Sequence, residues 1–407
     1  MMKYGLIGNP LSHSLSVEIH SAIGEEIGAY PYVLRPLAEE ELDGFFAARD
    51  FDAVNVTIPY KKTVMKHLDG ISPEAKEIGC VNTVLNRGGK LYGYNTDVFG
   101  MEEMLKRASD GYVPEKVAVL GTGGTSLTAV YVAGKLWKDA EIFRVSRIPK
   151  GKDVGYALIP GDTDAVINCT PVGMYPHAGV SPIGVSRFPH LRFVCDAVYN
   201  PRRTKLILDA EKRGVRTENG LRMLVTQAIY AASLFFDREI NDSAIYEKIR
   251  KSTENVVLIG MPSCGKTAVG KAVADALGRP FYDTDGVIYE KTGRTPAEII
   301  TSDGEDVFRR IESEVVSSLT EKADGRVIST GGGAILDPSN VENLKKNGRV
   351  FYLKKELADL IPSSDRPLTS DCGKLKRIFE ERCPIYESSA DTILTSNCEN
   401  AIIGEYK

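Results

Sequence analysis

Gly260, Gly265, Lys266 and Thr267 stand in the stretch GMPSCGKT with the spacing G-x-x-x-x-G-K-[ST]. In such a loop backbone N–H groups cradle phosphates, the lysine reaches the β and γ oxygens, and the hydroxyl ligates Mg²⁺. A nucleotide phosphate with Mg²⁺ is the expected ligand, held by Gly260, Pro262, Ser263, Cys264, Gly265, Lys266 and Thr267. A second glycine cluster lies upstream in VAVLGTGGTS, where Gly121, Gly123 and Gly124 let backbone approach a pyrophosphate at a helix start. Ser126 replaces the third glycine of that pattern and is small enough for close helix packing. The next apolar run, EIFRVSR, ends in Ser146 and Arg147, where a ribose contact falls. An acidic residue there reads the 2′-hydroxyl of NAD, whereas arginine suits the 2′-phosphate of NADP, so NADP(H) is expected. Arg144 is a second cation near the same point.

Both glycine turns need a strand before them and a helix after. Short β-branched runs recur along the chain: YGLIGN, FDAVNVTIP, KVAVLGTGG, EIFRVSR, DAVINCTP, RFVCDAV, NVVLIGM, RVISTGGG and RVFYLK. Helical patterns separate them, an alternation that predicts α/β units with parallel sheets. At 407 residues the chain is long enough for two or three domains. The helical pattern LRMLVTQAIYAASLFFDREI ends near Ile240, and the polar stretch NDSAIYEKIRKSTEN leads to a new strand at Val256. That places one domain over 1–253 and a P-loop α/β domain over 254–407. Within the first, a dinucleotide-binding Rossmann lobe is expected over 99–219, with 1–98 and 220–253 forming a separate α/β lobe.

A net charge of −4 and 43% hydrophobic residues describe an ordinary globular protein, with no general surface for nucleic acid or membrane. The start, MMKYGLIGNP, has no apolar signal segment, and a cytoplasmic protein is expected. Seven scattered cysteines without a C-x-x-C pair argue for free buried thiols, and five histidines without H-E-x-x-H give a zinc site little support. Cys264, inside the P-loop, reads as a small packed side chain rather than a redox sensor.

Seven ordered motifs in the first half resemble shikimate dehydrogenase: GNPLSHSLSVEIH, NVTIPYKK, GCVNTV, GYNTDVFG, NCTPVGM, DAVYNPRRTKL and GLRMLVTQA. The resemblance implies NADPH-dependent reduction of 3-dehydroshikimate to shikimate, with Lys61 as proton donor and Asp97 as its partner. Reducing a ring ketone needs such a donor at the developing alkoxide, and a neighbouring carboxylate orients the ammonium. The same resemblance assigns Ser14 and Ser16 to the substrate carboxylate, Thr57, Asn82, Asp97 and Gln227 to ring hydroxyls, Tyr199 to the cleft wall and Met174 to the cofactor. Two departures stand out: Ser146-Arg147-Ile148 occurs where the family has Asn-Arg-Thr, and Val17 where it has proline.

Downstream of the P-loop, FYDTD, DGEDVFRRIE, ISTGGGA, DRPL and ERCPIY resemble shikimate kinase. By that resemblance the P-loop nucleotide is ATP, Asp285 orients the substrate hydroxyls and the nucleophile, and Asp283 positions Mg²⁺ beside Thr267. Arg309 and Arg382 clamp the substrate carboxylate, a planar geometry that lysine cannot copy. Gly331, Gly332 and Gly333 bring backbone close to the ring, Glu312 orients Arg309, and Arg366 is the lid arginine near the nucleotide. The lid segment is shorter than is usual in the family, which implies more ATP hydrolysis without acceptor.

The combined expectation is a bifunctional enzyme that makes shikimate and then phosphorylates it, with small-molecule partners only. The alternatives are a dehydrogenase preferring quinate or NAD, or a chain in which one half only senses its ligand. A nucleic-acid-dependent ATPase would need a basic or aromatic binding surface, which the acidic balance and single tryptophan do not offer.

Overall fold

The computed structural model of the chain describes residues 3–11, 14–360 and 372–407. It divides into two compact units, Met1–Arg250 and Lys251–Lys407.

The first unit contains two sheets. One holds β1 (Tyr4–Gly8), β2 (Tyr32–Pro36), β3 (Ala53–Val56), β4 (Gly70–Ile71), β5 (Thr83–Arg87) and β6 (Lys90–Tyr94), in the order β2-β1-β3-β5-β6-β4. β1 runs parallel to β2 and β3, but β5 pairs antiparallel with both β3 and β6. The parallel pairing that the strand–helix alternation predicts gives way to antiparallel pairing at β5. Gly88 and Gly89, at φ 61° and 81°, close a two-residue turn between β5 and β6, and so short a link joins only antiparallel neighbours.

The other sheet holds β7 (Lys116–Leu120), β8 (Glu141–Ser146), β9 (Val154–Gly155), β10 (Ala165–Asn168), β11 (Phe193–Asp196) and β12 (Arg216–Asn219). Its order is β12-β11-β10-β7-β8-β9 and every pairing is parallel. The order reverses between β7 and β10, so a crevice opens beyond their carboxyl ends. Alternation within β7 sends Val117 and Val119 to one core and Ala118 and Leu120 to the other, as a sheet covered on both faces requires. Helix Asp97–Ser109 buries Met101, Met104 and Leu105 against the first of these cores.

Helix Gly220–Phe236 packs Leu221, Val225 and Ile229 with Ile19 and Ile23 of helix Ser16–Ile27. The stretch read as a polar connector after Ile240 is a helix, Asp242–Thr253. Its Ile245, Tyr246 and Ile249 lie four or fewer residues apart and enter that same core, a helical spacing hidden by the charged residues between them.

In the second unit β13 (Asn255–Ile259), β14 (Phe281–Asp283), β15 (Val327–Ser329), β16 (Gly348–Leu353) and β17 (Thr392–Leu394) form a wholly parallel sheet ordered β14-β15-β13-β16-β17. β13 is central and buried throughout, so the loop that follows it emerges between two parallel neighbours. Helix Lys266–Leu277 begins where that loop ends.

Candidate active sites

In the first unit Lys61 leaves the loop after β3, and Asp97 opens helix Asp97–Ser109, whose N-terminal dipole favours a carboxylate. Lys61 Nζ donates to Asp97 Oδ2 at 2.5 Å, with the lysine side chain 16% and the aspartate 5% exposed. Asn82 Nδ2 donates to Asp97 Oδ1 at 2.9 Å and to Gln227 Oε1 at 3.3 Å. These four expected site residues thus meet directly. Ser14 and Ser16 form their own pair, Oγ to Oγ at 2.9 Å, at the start of helix Ser16–Ile27, where backbone N–H groups favour an anion. Tyr199 is half-buried, and burial pushes its hydroxyl pKa up. Thr57 packs its methyl where a side chain on Gly8 would stand, 2.4 Å from that point.

The glycine turn after β7 faces the same residues. Gly121 has φ 114°, and a Cβ there would lie 3.2 Å from Cys169 O, just past the end of the neighbouring strand β10. Gly123 precedes helix Gly124–Leu136 and has open space around it. A Cβ on Gly124 would lie 3.5 Å from Lys61 Cδ, so the lysine stem runs against the turn. Ser126 is fully buried and donates Oγ to Gly123 O at 2.8 Å, taking the place of a third glycine. The open, positive-φ turn at a helix start fits a dinucleotide pyrophosphate. Ser146 Oγ accepts from Ile148 N at 3.1 Å, and Arg147 is exposed beyond it. Arg144 is instead committed to Asp153, at 2.6 Å through Nε. Met174 is 44% exposed on the loop after β10.

Sequence reasoning missed Cys80, Asn95, Thr83 and Thr96. Asn95 Nδ2 donates to Cys80 O at 3.1 Å, and Cys80 Sγ lies 3.7 Å from the place of a Gly124 Cβ. All four fall inside GCVNTV and GYNTDVFG, yet nothing in their spacing distinguishes a buried link from a substrate contact.

In the second unit the P-loop adopts the required turn through positive φ at Gly260 (149°), Ser263 (65°) and Gly265 (97°). Successive N–H groups in such a turn converge on an anion. Lys266 Nζ donates to Gly260 O and Met261 O, each at 2.9 Å, and Thr267 Oγ1 donates to Asp283 Oδ2 at 2.7 Å. A hydroxyl against a carboxylate is a donor set suited to Mg²⁺. Pro262 packs against Gly332, and Cys264 is 3% exposed with Sγ 3.8 Å from Lys266 Nζ.

The run Gly331-Gly332-Gly333 is a point of contact for three groups at once. A Cβ on Gly331 would stand 2.8 Å from Glu312 Oε1 and 3.0 Å from Asp285 Oδ1. On Gly332 it would meet Pro262 at 2.8 Å, and on Gly333 the Arg309 guanidinium at 2.2 Å. Any side chain there would displace the site. Arg309 Nη1 donates to Glu312 Oε2 at 2.7 Å, and its Nη2 to Glu305 Oε1 at 2.8 Å. Glu305, one helical turn before Arg309, went unremarked in the sequence. Arg382 is 6% exposed and donates Nη1 to Gly332 O at 3.0 Å. Burial pushes the Glu312 pKa up, with Asp285 adding to the rise and Arg309 opposing it. Arg366 and the lid around it lie outside the described residues. All seven cysteines are free; Cys80, Cys195 and Cys264 are buried, but Cys372 is exposed and the other three are intermediate, correcting the expectation of uniformly buried thiols.

Fold and geometry together define a nucleotide-dependent oxidoreductase followed by a P-loop phosphotransferase. The shikimate dehydrogenase substrate binding domain family model matches residues 6–84, and the shikimate kinase model matches residues 262–406. A shikimate dehydrogenase (NADP(+)) from Caldanaerobacter subterraneus subsp. tengcongensis is 36% identical over 268 residues, a match covering 61% of this chain and 96% of the relative. Among solved structures, a chorismate mutase/shikimate 5-dehydrogenase fusion from Clostridium acetobutylicum is similar at 35% identity and a TM-score of 0.56, over 61% of this chain and 96% of that one. Shikimate 5-dehydrogenase from Thermus thermophilus, solved with NADP(H) and shikimate, matches at 31% identity and a TM-score of 0.54, covering 61% and 98%. The chain belongs to the shikimate dehydrogenase family and carries a shikimate kinase domain after it, which makes it a bifunctional enzyme of the shikimate pathway. No helix among the described residues is long and apolar enough to cross a membrane.

Proposed function

We propose that the first unit reduces the ring ketone of 3-dehydroshikimate and that the second phosphorylates the hydroxyl so formed, giving shikimate 3-phosphate. The observation that carries this reading is the Lys61–Asp97 contact beside the glycine turn. NADPH, when bound along that turn, supplies the hydride. Lys61 holds on Nζ the proton that the developing alkoxide takes, and Asp97 keeps the ammonium directed. Asn82 and Gln227, hydrogen-bonded to each other at 3.3 Å, offer an amide pair to ring hydroxyls, and Ser14 and Ser16 present theirs to the carboxylate. A site built from such groups rejects analogues lacking the hydroxyl, because its own polar atoms are then left unpaired.

In the second unit, ATP with Mg²⁺ supplies the phosphoryl group when bound. Lys266 has its Nζ donors poised on the loop carbonyls, where phosphate oxygens would replace them. Thr267 and Asp283 hold the metal side of the site, and Asp285 directs the substrate hydroxyl. Arg309 and Arg382 receive the carboxylate, the first from helix Glu305–Thr320 and the second from helix Cys372–Ser389. We assign residues 1–253 to the reductase and 254–407 to the kinase, and place both reactions in the cytoplasm, where NADPH and ATP are supplied.

The test is product analysis on the whole chain, given 3-dehydroshikimate and NADPH first and then ATP with Mg²⁺. NADPH oxidation followed by equimolar ADP and a phosphorylated acid is expected. Oxidation without ADP would reduce the second unit to a ligand sensor, a preference for quinate would overturn the substrate assignment, and a preference for NAD the cofactor assignment.

A further inference from the structure

A chain of hydrogen bonds crosses the interior of the first sheet and ends on Asp97. Tyr32, on β2, donates its hydroxyl to Asn55 Oδ1 at 2.7 Å. Asn55 Nδ2 donates to Thr83 Oγ1 at 3.1 Å, across the register that sets these two residues opposite each other on β3 and β5. Thr83 Oγ1 donates to Asn82 Oδ1 at 3.1 Å, and Asn82 Nδ2 donates to Asp97 Oδ1 at 2.9 Å. Every link has its donor on the Tyr32 side, so the bonds polarise one another in a single sense toward the carboxylate. Lys61 completes the arrangement from the other oxygen.

The amide of Asn82 is the decisive member. Oxygen and nitrogen of a carboxamide have nearly the same shape, so packing alone does not choose between its two orientations. Thr96 N–H donates to Asn82 Oδ1 at 2.7 Å, and the Thr83 hydroxyl donates to the same atom. Together they force Nδ2 toward Asp97; the reverse orientation would set the amide oxygen against the carboxylate. Tyr32, Asn55, Thr83 and Thr96 are 8%, 5%, 0% and 0% exposed, so water does not compete for these bonds, and a lost partner leaves a buried group unsatisfied.

We infer that Tyr32, Asn55 and Thr83 are positioning residues of the reductase, fixing the Asn82 amide and through it the Asp97 carboxylate that directs Lys61. The inference rests on the reading of this site as a ketone reductase. Its test uses the full chain with Thr83→Val, Thr83→Ser and Tyr32→Phe, with rates normalised to NADPH sites titrated by fluorescence. Thr83→Val should lower kcat about tenfold, the loss of one well-placed bond, while NADPH affinity and kinase activity stay within about twofold of the parent. Thr83→Ser, which keeps the hydroxyl, should restore most of kcat, and Tyr32→Phe should show a smaller loss of the same kind. If Thr83→Val does not bind NADPH, Tyr32→Phe is judged by the same criteria. An unchanged kcat per NADPH site, or a serine variant as slow as valine, overturns the inference. An unmodified chain that oxidises no NADPH would instead overturn the reductase reading.

Discussion

Glu312 has a carboxylate 1% exposed, with one oxygen on Arg309 and the other without a hydrogen-bond partner among the described residues. Its bond to Arg309 supports the proposal that it holds that arginine in place. Replacing it as Glu312→Gln removes the anion of this ion pair and leaves the guanidinium bonded to a neutral amide oxygen. The expected outcome is a shikimate KM for the kinase raised about tenfold, from a loss of roughly 1–2 kcal/mol, with the ATP KM and the reductase unaffected; initial-rate kinetics of both reactions check it. At this scale the Thr267–Asp283 and Arg309–Glu312 contacts were readable, because these residues sit in patterns whose spacing has a mechanical reason. Arg144 was not readable as a structural residue. Its partner Asp153 lies nine positions away on the far side of a turn, and only the fold brings the two together.

Helix contacts made through glycine set the geometry between elements. A Cβ on Gly220 would stand 2.1 Å from Ala197 O, so helix Gly220–Phe236 can begin against β11 only without a side chain there. Gly220→Ala is expected to destabilise the first unit by about 1–3 kcal/mol. Trp137, the single tryptophan, is buried in the core around β7, so its fluorescence in urea reports this unit alone and measures the loss. The nine runs read as strands all contain strands; eight of these are apolar stretches largely buried in their sheets, whereas β8 buries only Val145. The strands that escaped notice, among them β5, β6, β14 and β17, are short or carry polar residues. The hairpin was legible in its Gly88-Gly89 pair, but the parallel pattern around it drew the reading the other way. Helix Asp242–Thr253 escaped because only three of its residues are deeply apolar, and the core that receives them is built from helices Gly220–Phe236 and Ser16–Ile27, the second of them over two hundred positions earlier.

Acid tests the stability of the first unit through His20. Burial pushes its pKa down to about 3 from the ordinary 6.5, and its Nδ1 lies 2.7 Å from the Tyr30 hydroxyl. The unfolded chain binds a proton below 6.5 that the folded unit refuses until about 3. Stability is therefore complete above 6.5 and falls as pH drops through that window, by about 1.4 kcal/mol per unit. Between pH 6.5 and 5 the parent should lose about 2 kcal/mol more than His20→Phe, measured by urea unfolding at the tryptophan. The whole chain also carries the central claim, that one polypeptide holds two separate active sites acting in sequence. The most direct measurement follows NADPH loss and ADP formation together in Lys61→Ala and Lys266→Ala. With 3-dehydroshikimate, NADPH and ATP, Lys61→Ala should lose NADPH oxidation by a factor of about 10²–10⁴ yet form ADP at the parent rate when shikimate is added. Lys266→Ala should oxidise NADPH normally and form no ADP. If either substitution silences both reactions, or neither reaction responds to its own lysine, the account is contradicted.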